Sequence, residues 1–481
     1  MFVILMGGRL YLDYRIEPLI LCSAVIAGFM AWYLRCQWQQ LEEAILNKIN
    51  VAMQGMLIIF SVGCMVGAWM FCGTVPFMVY WGLELVNPNY MLLSAFLICA
   101  LTSCCTGTSW GSAATIGVAM IGIAHGLGIP LAPVAGAALS GCYVGDKLSP
   151  LSDTTNLAPA VAGATTYEHI GHMFYTTIPG TILCCIVFFF ASSSVTGELH
   201  TPAQVQDFMN QLTEIYKLHF LLAVPPLLLI TGSILRWPIL PTIILTTILS
   251  VALGCLLQGF DLRGGILSTT TGFKVSMTHY LATPTESVQT LLNRGGMMGV
   301  LENMGMLCVA MAFGGIMHGS GMLTVVLQKM LKRVRSDGGL IASTLLSCVV
   351  LCFSTGSAYM GILIPGSLFK ESYLKRRLHP KNLSRALEDS ATMLDGAIPW
   401  ASGAVYMSGV LGVSAFEYVP WMVFNYSSVF IGLACAMLGI GIVKISAEDA
   451  KERLAAEVDY YKAVQFFFYT QWNALKAYAN G

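Results

Sequence analysis

Long apolar runs dominate the chain, and polar residues interrupt them at only a few places. Runs such as 51–72 and 178–191 are continuous and approach the ~20 residues that a membrane-spanning helix needs. The strands of a membrane barrel would instead alternate apolar and polar positions. The pattern therefore predicts an all-α polytopic membrane protein. Continuous spans are predicted near residues 18–34, 51–72, 172–193, 218–235, 238–257, 296–318 and 421–443.

Four further apolar segments are interrupted by glycine, proline and polar residues. Segment 90–129 is broken at SCCTGTSWGS, and segment 339–369 is broken at STGSAYMG. Segments 131–162 and 383–411 are broken around their aspartates and prolines. Irregular backbone at membrane depth is tolerated only inside protein or beside a water-filled cavity. The four breaks are therefore expected to meet at an internal site.

The interruptions recur in the same order in the two halves of the chain, which indicates an internal duplication. GMLIIFSVG resembles GMLCVAMAFG, and TGTSWG at Thr106 resembles TGSAYMG at Thr355. DKLSPLSDTTNLAP is echoed by EDSATMLDGAIP, which sets Asp146 and Asp153 opposite Glu388 and Asp395. Two capping boxes, each predicted to start a spanning helix, follow these segments: TTYE at 165–168 and SAFE at 414–417.

Basic residues indicate how the halves lie in the membrane, since they favour the cytoplasmic side of short loops. Lysines and arginines flank segment 339–369 on both sides, whereas its counterpart 90–129 has none on either flank. Both segments are expected to be re-entrant hairpins, entering from opposite faces, so the repeats have inverted topology with one broken helix each. The predicted domains are an N-terminal span and cytoplasmic loop (1–48), repeat 1 (49–194), linking spans and outer loops (195–294), repeat 2 (295–443) and a cytoplasmic amphipathic tail (444–481).

Composition agrees with a membrane protein and narrows its partners. Charged residues make up only 10% of the chain, against roughly 25% in soluble domains. The net charge is zero, so no nucleic-acid partner is expected. The 15 cysteines include no C-x-x-C pair and lie mostly in apolar runs, which favours a packing role over disulfides or metal binding.

The stretch GDKLSPLSDTTNLAP, 145–159, carries the densest polar chemistry inside an apolar segment. A charged carboxylate at that depth costs ~2.5–3.5 kcal/mol on insertion scales, so such a residue is functional by default. The two prolines free backbone carbonyls, and oxygen ligands are those that hard cations prefer. The candidate ion ligands are Asp146, Ser152, Asp153, Thr154 and Asn156.

Lys147 has two interpretations. It is either a partner that keeps Asp146 ionised or a side chain that reaches the interface by snorkelling. Because the first would occupy Asp146, Asp153 ranks above Asp146 as the titrating ligand. Burial favours the protonated carboxyl and a bound cation favours the carboxylate, so H⁺ and Na⁺ are expected to compete for one group.

The second half offers a matching but sparser set of oxygens. Asp395 has no basic neighbour, whereas Glu388 and Asp389 lie nearer a basic loop and are either ligands or the start of a helix. The tips of the two hairpins add glycine and hydroxyls, which serve either ion binding or helix packing. The candidates at the tips are Thr108, Ser109, Thr355 and Ser357.

GDKLSPLSDTTNLAP, together with TGTSWG and the chain length, closely resembles the NhaC family of Na⁺/H⁺ antiporters, over about residues 16–443. The resemblance implies an inverted-repeat ion-transporter fold and a bacterial cytoplasmic (inner) membrane location. It also assigns Asp146, Asp153, Thr154 and Asn156 to the ion site, and some close relatives exchange malate or lactate. The second half matches the family less sharply, and the tail beyond Lys444 lies outside the resemblance.

The leading hypothesis is secondary active exchange of Na⁺ for H⁺, with Asp153, Asn156 and Asp395 as Na⁺ ligands. The alternative is a Na⁺/H⁺-coupled organic-acid or amino-acid exchanger, in which Lys147 or Arg294 binds a small carboxylate. An intramembrane aspartyl protease is disfavoured, since Tyr-Val-Gly rather than G-x-G precedes Asp146. No catalytic residue and no cofactor is expected. The expected partners are membrane lipid and the transported Na⁺ and H⁺, and a homodimer is compatible with the sequence.

Overall fold

The computed structural model describes residues 16–195, 202–235, 237–280, 283–332 and 334–446, together with Gly8, 448–449, 465–466, 469 and 471–472. Helices make up most of these residues. The predicted amphipathic tail lies almost entirely outside these described residues. The first half contains α1 Ile16–Tyr33, α2 Trp38–Cys72, α3 Thr74–Leu85, α4 Met91–Thr106, α5 Ser109–Leu127, α6 Leu131–Leu148, α7 Asp153–Ala162 and α8 Thr166–Val195.

The rest of the chain continues the same architecture, with linking helices before a second set of broken segments. The linking helices are α9 Pro202–Ile215, α10 Val224–Ile234, α11 Ile239–Gln258, α12 Leu262–Thr271 and α13 Glu286–Leu292. The second half contains α14 Leu301–Gly319, α15 Met322–Lys332, α16 Asp337–Thr355, α17 Ala358–Lys375, α18 at 380–395, α19 Ser402–Leu411, α20 Ala415–Tyr418 and α21 Val423–Leu438. Within α18, a π-helical turn Glu388–Thr392 follows Pro380–Leu387.

By length and composition, seven helices of the described chain are able to cross a membrane, or nine if two bent pairs each form one span. The bent pairs are Ala203–Ile215 with Phe220–Ile234, at 98°, and Ala415–Trp421 with Val423–Leu438, at 53°. The polytopic all-α prediction is therefore confirmed. Of the predicted continuous spans, however, 218–235 and 421–443 are parts of bent pairs, and 18–34 corresponds to the shorter apolar helix Pro18–Tyr33.

Helix α2 is longer than the sequence pattern predicted. It has 35 residues, which at 1.5 Å per residue is about 52 Å and exceeds the ~30 Å apolar core of a bilayer. Its first third, WQQLEEAILNKIN, is charged and largely exposed. The polar start of the helix therefore extends beyond the apolar run from which the span was predicted.

All four predicted breaks are present. The first hairpin turns at Gly107 and the second at Gly356, each of which has a positive φ, 72° and 62°, that glycine adopts without strain. Each of these glycines also caps the preceding helix, since its N–H donates to a carbonyl four residues earlier. The other two breaks fall between α6 and α7 and between α18 and α19.

The predicted capping boxes have different outcomes. Thr165 N–H donates to Glu168 Oε2 at 2.9 Å, and Glu168 N–H donates to Thr165 Oγ1 at 3.3 Å, so the first box starts α8 as expected. Ser414 makes no side-chain cap, and only the four-residue α20 follows it. The predicted cap at Ser414 is therefore wrong, although the bent pair Ala415–Trp421 with Val423–Leu438 begins directly after it.

The two broken segments lie at the centre of the molecule. Nearly every residue of α6 and of α18 is buried, whereas α8 exposes an apolar stripe that includes Ile178, Ile182 and Phe190. That stripe is expected to face lipid. The cysteines are all free, and seven of them are buried.

The hairpin turn at Gly107 yields a stability prediction. A Cβ at Gly107 would overlap Leu151, whose backbone carbonyl carbon lies 2.9 Å from that position. Positive φ adds ~1–2 kcal/mol for a non-glycine residue, so we expect Gly107→Ala to lower the unfolding temperature in detergent. Gly356→Ala should lower it less, because its nearest neighbours are 3.1 Å away. Gly171→Ala, in an open helical position, is the control and should not lower it. An unchanged Gly107→Ala protein would contradict this account of the turn.

Candidate functional site

Asp146 is buried near the end of α6 and points at the start of another half-helix. Its Oδ1 accepts the backbone N–H of Ser109 and the hydroxyl of Ser152, both at 3.2 Å. Ser109 is the first residue of α5, where backbone N–H groups are unpaired and the helix dipole favours negative charge. The Ser109 hydroxyl is itself buried and has no hydrogen-bond partner in the described chain. A carboxylate and a free oxygen thus lie together at the first hairpin.

Asp395 repeats this arrangement in the second half. It is buried at the end of α18, and its Oδ1 accepts the Ser402 hydroxyl at 3.2 Å. The backbone N–H groups of Ala358 and Gly403 also lie within hydrogen-bonding reach of its carboxylate. Ala358 is the first residue of α17, the second arm of the second hairpin. Each hairpin therefore presents the start of its second arm to one buried aspartate.

A constant spacing relates the two sites. The same 249 residues separate Gly107 from Gly356, and Gly163 from Gly412, all with positive φ. The same spacing relates two contacts between each hairpin and its broken segment: Ser103 Oγ donates to Cys142 O, and Cys352 Sγ donates to Ala391 O at 3.7 Å.

This spacing sets Asp146 opposite Asp395, whereas the sequence match set Asp146 opposite Glu388 and Asp153 opposite Asp395. That match was displaced by seven residues, because it paired acidic residues by type rather than by their distance from the hairpins. The structural register puts Ser402, not an aspartate, at the position equivalent to Asp153.

Lys147 fits neither interpretation offered by the sequence. Its ammonium is fully buried and lies 2.7 Å from Asp389 Oδ1. It also donates to Ser428 Oγ at 2.8 Å and Thr176 Oγ1 at 3.3 Å. Lys147 is thus neither the partner of Asp146 nor a snorkelling side chain, and Asp389 is the counter-ion of a lysine rather than a free ligand.

The predicted ligands Asp153 and Asn156 are exposed at the start of α7. The Asn156 amide donates to the carbonyls of Pro150 and Ser152, and its oxygen accepts the Thr166 hydroxyl at 3.0 Å. Asn156 therefore fastens the break between α6 and α7. With Lys147 occupied elsewhere, the reason for ranking Asp153 above Asp146 disappears, and burial favours Asp146.

Of the hydroxyls predicted as ligands at the breaks, some form hydrogen bonds to nearby backbone and others lie near the buried aspartates or at a hairpin tip. Thr108 caps α5 by accepting Gly111 N–H, and Thr355 donates to Leu351 O. Thr154 Oγ1 lies 3.2 Å from Ser152 Oγ, beside the Asp146 site. Ser357 is buried at the second hairpin tip and makes no side-chain cap.

Sequence reasoning named one further central residue, Glu388, and missed two others, Thr392 and Tyr143. Glu388 and Thr392, in the π-helical turn of α18, are buried and have side-chain oxygens without a hydrogen-bond partner in the described chain. The hydroxyl of Tyr143, in α6, is also buried without a hydrogen-bond partner in the described chain. Tyr143 lies in an apolar run and gave no signal, whereas Glu388 was expected to be either a ligand or the start of a helix.

Buried oxygens without a partner concentrate on the broken segments. In the described part of the chain, most of them belong to Ser109, Ser140, Tyr143, Glu388, Asp389 and Thr392. Buried polar atoms in proteins are normally hydrogen-bonded, and those that are not mark ion, water or functional sites. The breaks therefore form an internal polar region that is able to hold a small cation.

Aromatic contact joins the two halves beside this region. The rings of Trp110 and Tyr406 stack with centroids 4.2 Å apart, and the Tyr406 hydroxyl donates to Trp110 O at 2.9 Å. The second arm of the first hairpin is thereby packed on α19, the half-helix that begins near Asp395.

Arg294 lines a separate cavity of about 430 Å³ at the far end of α19, among glycine-rich backbone. Its guanidinium donates to Thr290 O at 2.9 Å and Leu411 O at 3.5 Å, and no carboxylate pairs with it in the described structure. Burial lowers the pKa of Arg294, but an arginine guanidinium is effectively always protonated in proteins.

Buried carboxylates at interrupted helices of a polytopic helical fold define a membrane transporter. Residues 141–440 match the model of the Na⁺/H⁺ antiporter family, and the chain belongs to that family.

Relatives agree with this assignment. The chain is 40% identical over 446 residues to an uncharacterized Na⁺/H⁺ antiporter of Haemophilus influenzae, which covers 92% of this chain and 95% of the relative. It is 33% identical to the Na⁺/H⁺ antiporter NhaC of Alkalihalophilus pseudofirmus, covering 89% and 91%. It is also 33% identical to a malate-2H⁺/Na⁺-lactate antiporter of Bacillus subtilis, covering 90% of each. The resemblance to the NhaC family is confirmed.

The buried ion pair predicts strong coupling between Lys147 and Asp389. Lys147→Met or Asp389→Asn leaves the other charge or its polar partners uncompensated, which costs ~3–5 kcal/mol for a buried pair. We expect each single variant to unfold at a lower temperature in detergent, and the double variant to recover part of the loss. The exposed pair Lys375–Glu371, at 2.6 Å, is the matched control, and its variants should change stability by less than ~1 kcal/mol. Additive effects of the two central substitutions would contradict the pairing.

Proposed function

We propose that the protein is a secondary active transporter that exchanges Na⁺ for H⁺ at Asp146 and Asp395. One observation carries the proposal. Two buried carboxylates at the ends of their own helices each face the start of another half-helix, beside oxygens that lack a hydrogen-bond partner, and neither forms an ion pair in the described chain. The names of the relatives support the same exchange. The protein thus acts as a transporter rather than as an enzyme, and Na⁺ and H⁺ are its substrates.

Competition for the carboxylate provides the coupling. A buried carboxylate without a partner is costly, and either a proton or a cation removes that cost. Na⁺ at Asp146 would gain the oxygens of Ser109, Ser152 and Thr154, whereas a proton needs only the carboxylate. Since one group cannot hold both, Na⁺ binding displaces H⁺, and a pH difference of one unit supplies ~1.4 kcal/mol per proton.

Alternating access is proposed to come from the duplication, with the halves 49–194 and 295–443 inverted and the hairpins re-entrant in the cytoplasmic membrane. A basic side chain lies near the end of each equivalent half-helix, which supports the inversion. Lys370 Nζ is 3.7 Å from the Cβ position of Gly163, and Arg294 Nη1 is 3.4 Å from that of Gly412. Lys370 belongs to the basic region predicted to be cytoplasmic, so Arg294 would mark the opposite mouth.

Carboxylate variants test the proposal. In proteoliposomes with an internal pH dye, we expect Asp146→Asn and Asp395→Asn each to lower Na⁺-driven proton movement at least about tenfold, which corresponds to ~1.4 kcal/mol. Asp153→Asn should retain more activity than either, because its carboxylate is exposed. Asp261→Asn, an exposed residue that makes no side-chain cap, is the control. Full activity of Asp146→Asn and Asp395→Asn would refute the exchange site.

The Arg294 cavity favours a second candidate function, coupled exchange of a small carboxylate. Lys147 and Arg294 are the two side chains expected to bind a small carboxylate. Lys147 is neutralised by Asp389, which leaves Arg294 for this role. Its planar guanidinium carries five N–H donors in a geometry suited to a carboxylate, and the cavity volume falls in the range of small-molecule sites.

Counterflow distinguishes the two functions. Proteoliposomes loaded with lactate or malate should accumulate the labelled acid only under the second function, and Arg294→Gln should then lower uptake at least about tenfold, ~1.4 kcal/mol of binding. Na⁺/H⁺ exchange without labelled-acid uptake in the unmodified protein would exclude the second function and leave the first intact.

A further inference from the structure

Tyr143 is an exception among the buried tyrosines of the described chain. Its side chain is 1% exposed, and its hydroxyl has no hydrogen-bond partner among the described residues. The hydroxyls of Tyr216, Tyr406 and Tyr418 donate to backbone carbonyls, and that of Tyr373 bonds to Thr344. A buried polar group left unpaired costs ~1–3 kcal/mol. Among the buried tyrosines of the described chain, Tyr143 alone therefore carries the cost of an unpaired hydroxyl.

The hydroxyl reaches from the first half of the chain into the break of the second half. Tyr143 Oη lies 2.5 Å from the position that a Cβ on Gly396 would occupy and 2.9 Å from the corresponding position on Gly403. Asp395 Oδ2 is the atom nearest to the position that a Cβ on Gly403 would occupy. The phenol and the carboxylate are therefore neighbours, and glycine at both positions makes room for them.

The two oxygens are close without being bonded to one another. Within the part of the chain that the structure describes, Tyr143 Oη makes no hydrogen bond, and the Ser402 hydroxyl donates to the other oxygen of Asp395, Oδ1. A neutral phenol has a lone pair for a cation and an O–H for a carboxylate. A phenol beside an aspartate is therefore able to bind a cation when one is present and to donate a hydrogen bond to the carboxylate when none is.

We propose that Tyr143 is a further ion-binding residue, whose hydroxyl oxygen ligates the cation held by Asp395. The inference rests on the proposed exchange and adds a ligand contributed by the opposite half of the chain. With the cation bound, Tyr143 Oη and Asp395 share it; without it, the phenol is free to donate to the carboxylate. Cation binding at Asp395 thereby ties α6 of the first half to the broken segment of the second.

Tyr143→Phe provides a sharp test, because it removes one oxygen and leaves the ring. Unfolding temperature is measured for the full chain in detergent over a NaCl titration, with choline chloride holding ionic strength constant. We expect Tyr143→Phe to be at least as stable as the unmodified protein without Na⁺, since an unpaired hydroxyl is gone. The Na⁺ concentration for half-maximal stabilisation should rise about tenfold, in line with a lost bond to a charged group.

Tyr216→Phe is the matched control. Its hydroxyl donates to Met70 O at 2.8 Å, so the variant should lose stability at every Na⁺ concentration and keep the same half-maximal value. In proteoliposomes, Tyr143→Phe should raise the KM for Na⁺ about tenfold and keep its proton movement at saturating Na⁺. In an Asp395→Asn background, adding Tyr143→Phe should change the half-maximal Na⁺ concentration no further.

The outcomes separate the inference from the proposed function. If the unmodified protein is stabilised by Na⁺ and Tyr143→Phe responds identically, Tyr143 is not a ligand and the inference is overturned. A loss of stability in Tyr143→Phe with unchanged Na⁺ dependence would show a packing role and would overturn it equally. If the unmodified protein shows neither Na⁺-dependent stability nor exchange, the proposed function itself fails.

Discussion

The structure depends on the attraction between a buried carboxylate and the unpaired N–H groups at the start of a half-helix. Asp146 accepts the N–H of Ser109, and Asp395 lies within reach of that of Ala358. A continuous helix offers no such donors in its interior, so each helix break creates the place where a charge is tolerated. Glycine at the hairpin turns makes the breaks possible, and the breaks in turn hold the carboxylates in the middle of an apolar chain.

Charge is distributed unevenly around these carboxylates. Lys147 follows Asp146 in the chain, yet its ammonium is compensated by Asp389 with help from Thr176 and Ser428. The ion pair fastens the first broken segment to the second and leaves Asp146 without a permanent cation. Under the proposed exchange, adjacent residues thus have separate roles: Lys147 pairs with Asp389, and Asp146 is left for Na⁺ or H⁺.

The sequence was sufficient to predict the polytopic helical fold, the four breaks and the family, because glycine, proline and hydroxyl residues stand out within apolar runs. It was not sufficient for contacts between distant segments. Lys147 and Asp389 are 242 residues apart, and no sequence feature near either residue predicts the ion pair. Matching by acidic type shifted the second half by seven residues, since Glu388 and Asp395 both look like partners of Asp146 until the hairpin spacing is imposed. Tyr143 lies in an apolar run, so only its unpaired hydroxyl reveals it.

Proton release on Na⁺ binding tests the central claim most directly. Isothermal titration of the purified protein with NaCl, repeated in buffers of different ionisation enthalpy, gives the number of protons released per Na⁺ bound. If Na⁺ and H⁺ compete for the buried carboxylates, binding releases protons near the pH at which those groups are half protonated, and the apparent Kd for Na⁺ weakens toward about tenfold per unit as the pH falls below it. Saturable Na⁺ binding with no proton release at any pH would contradict the account.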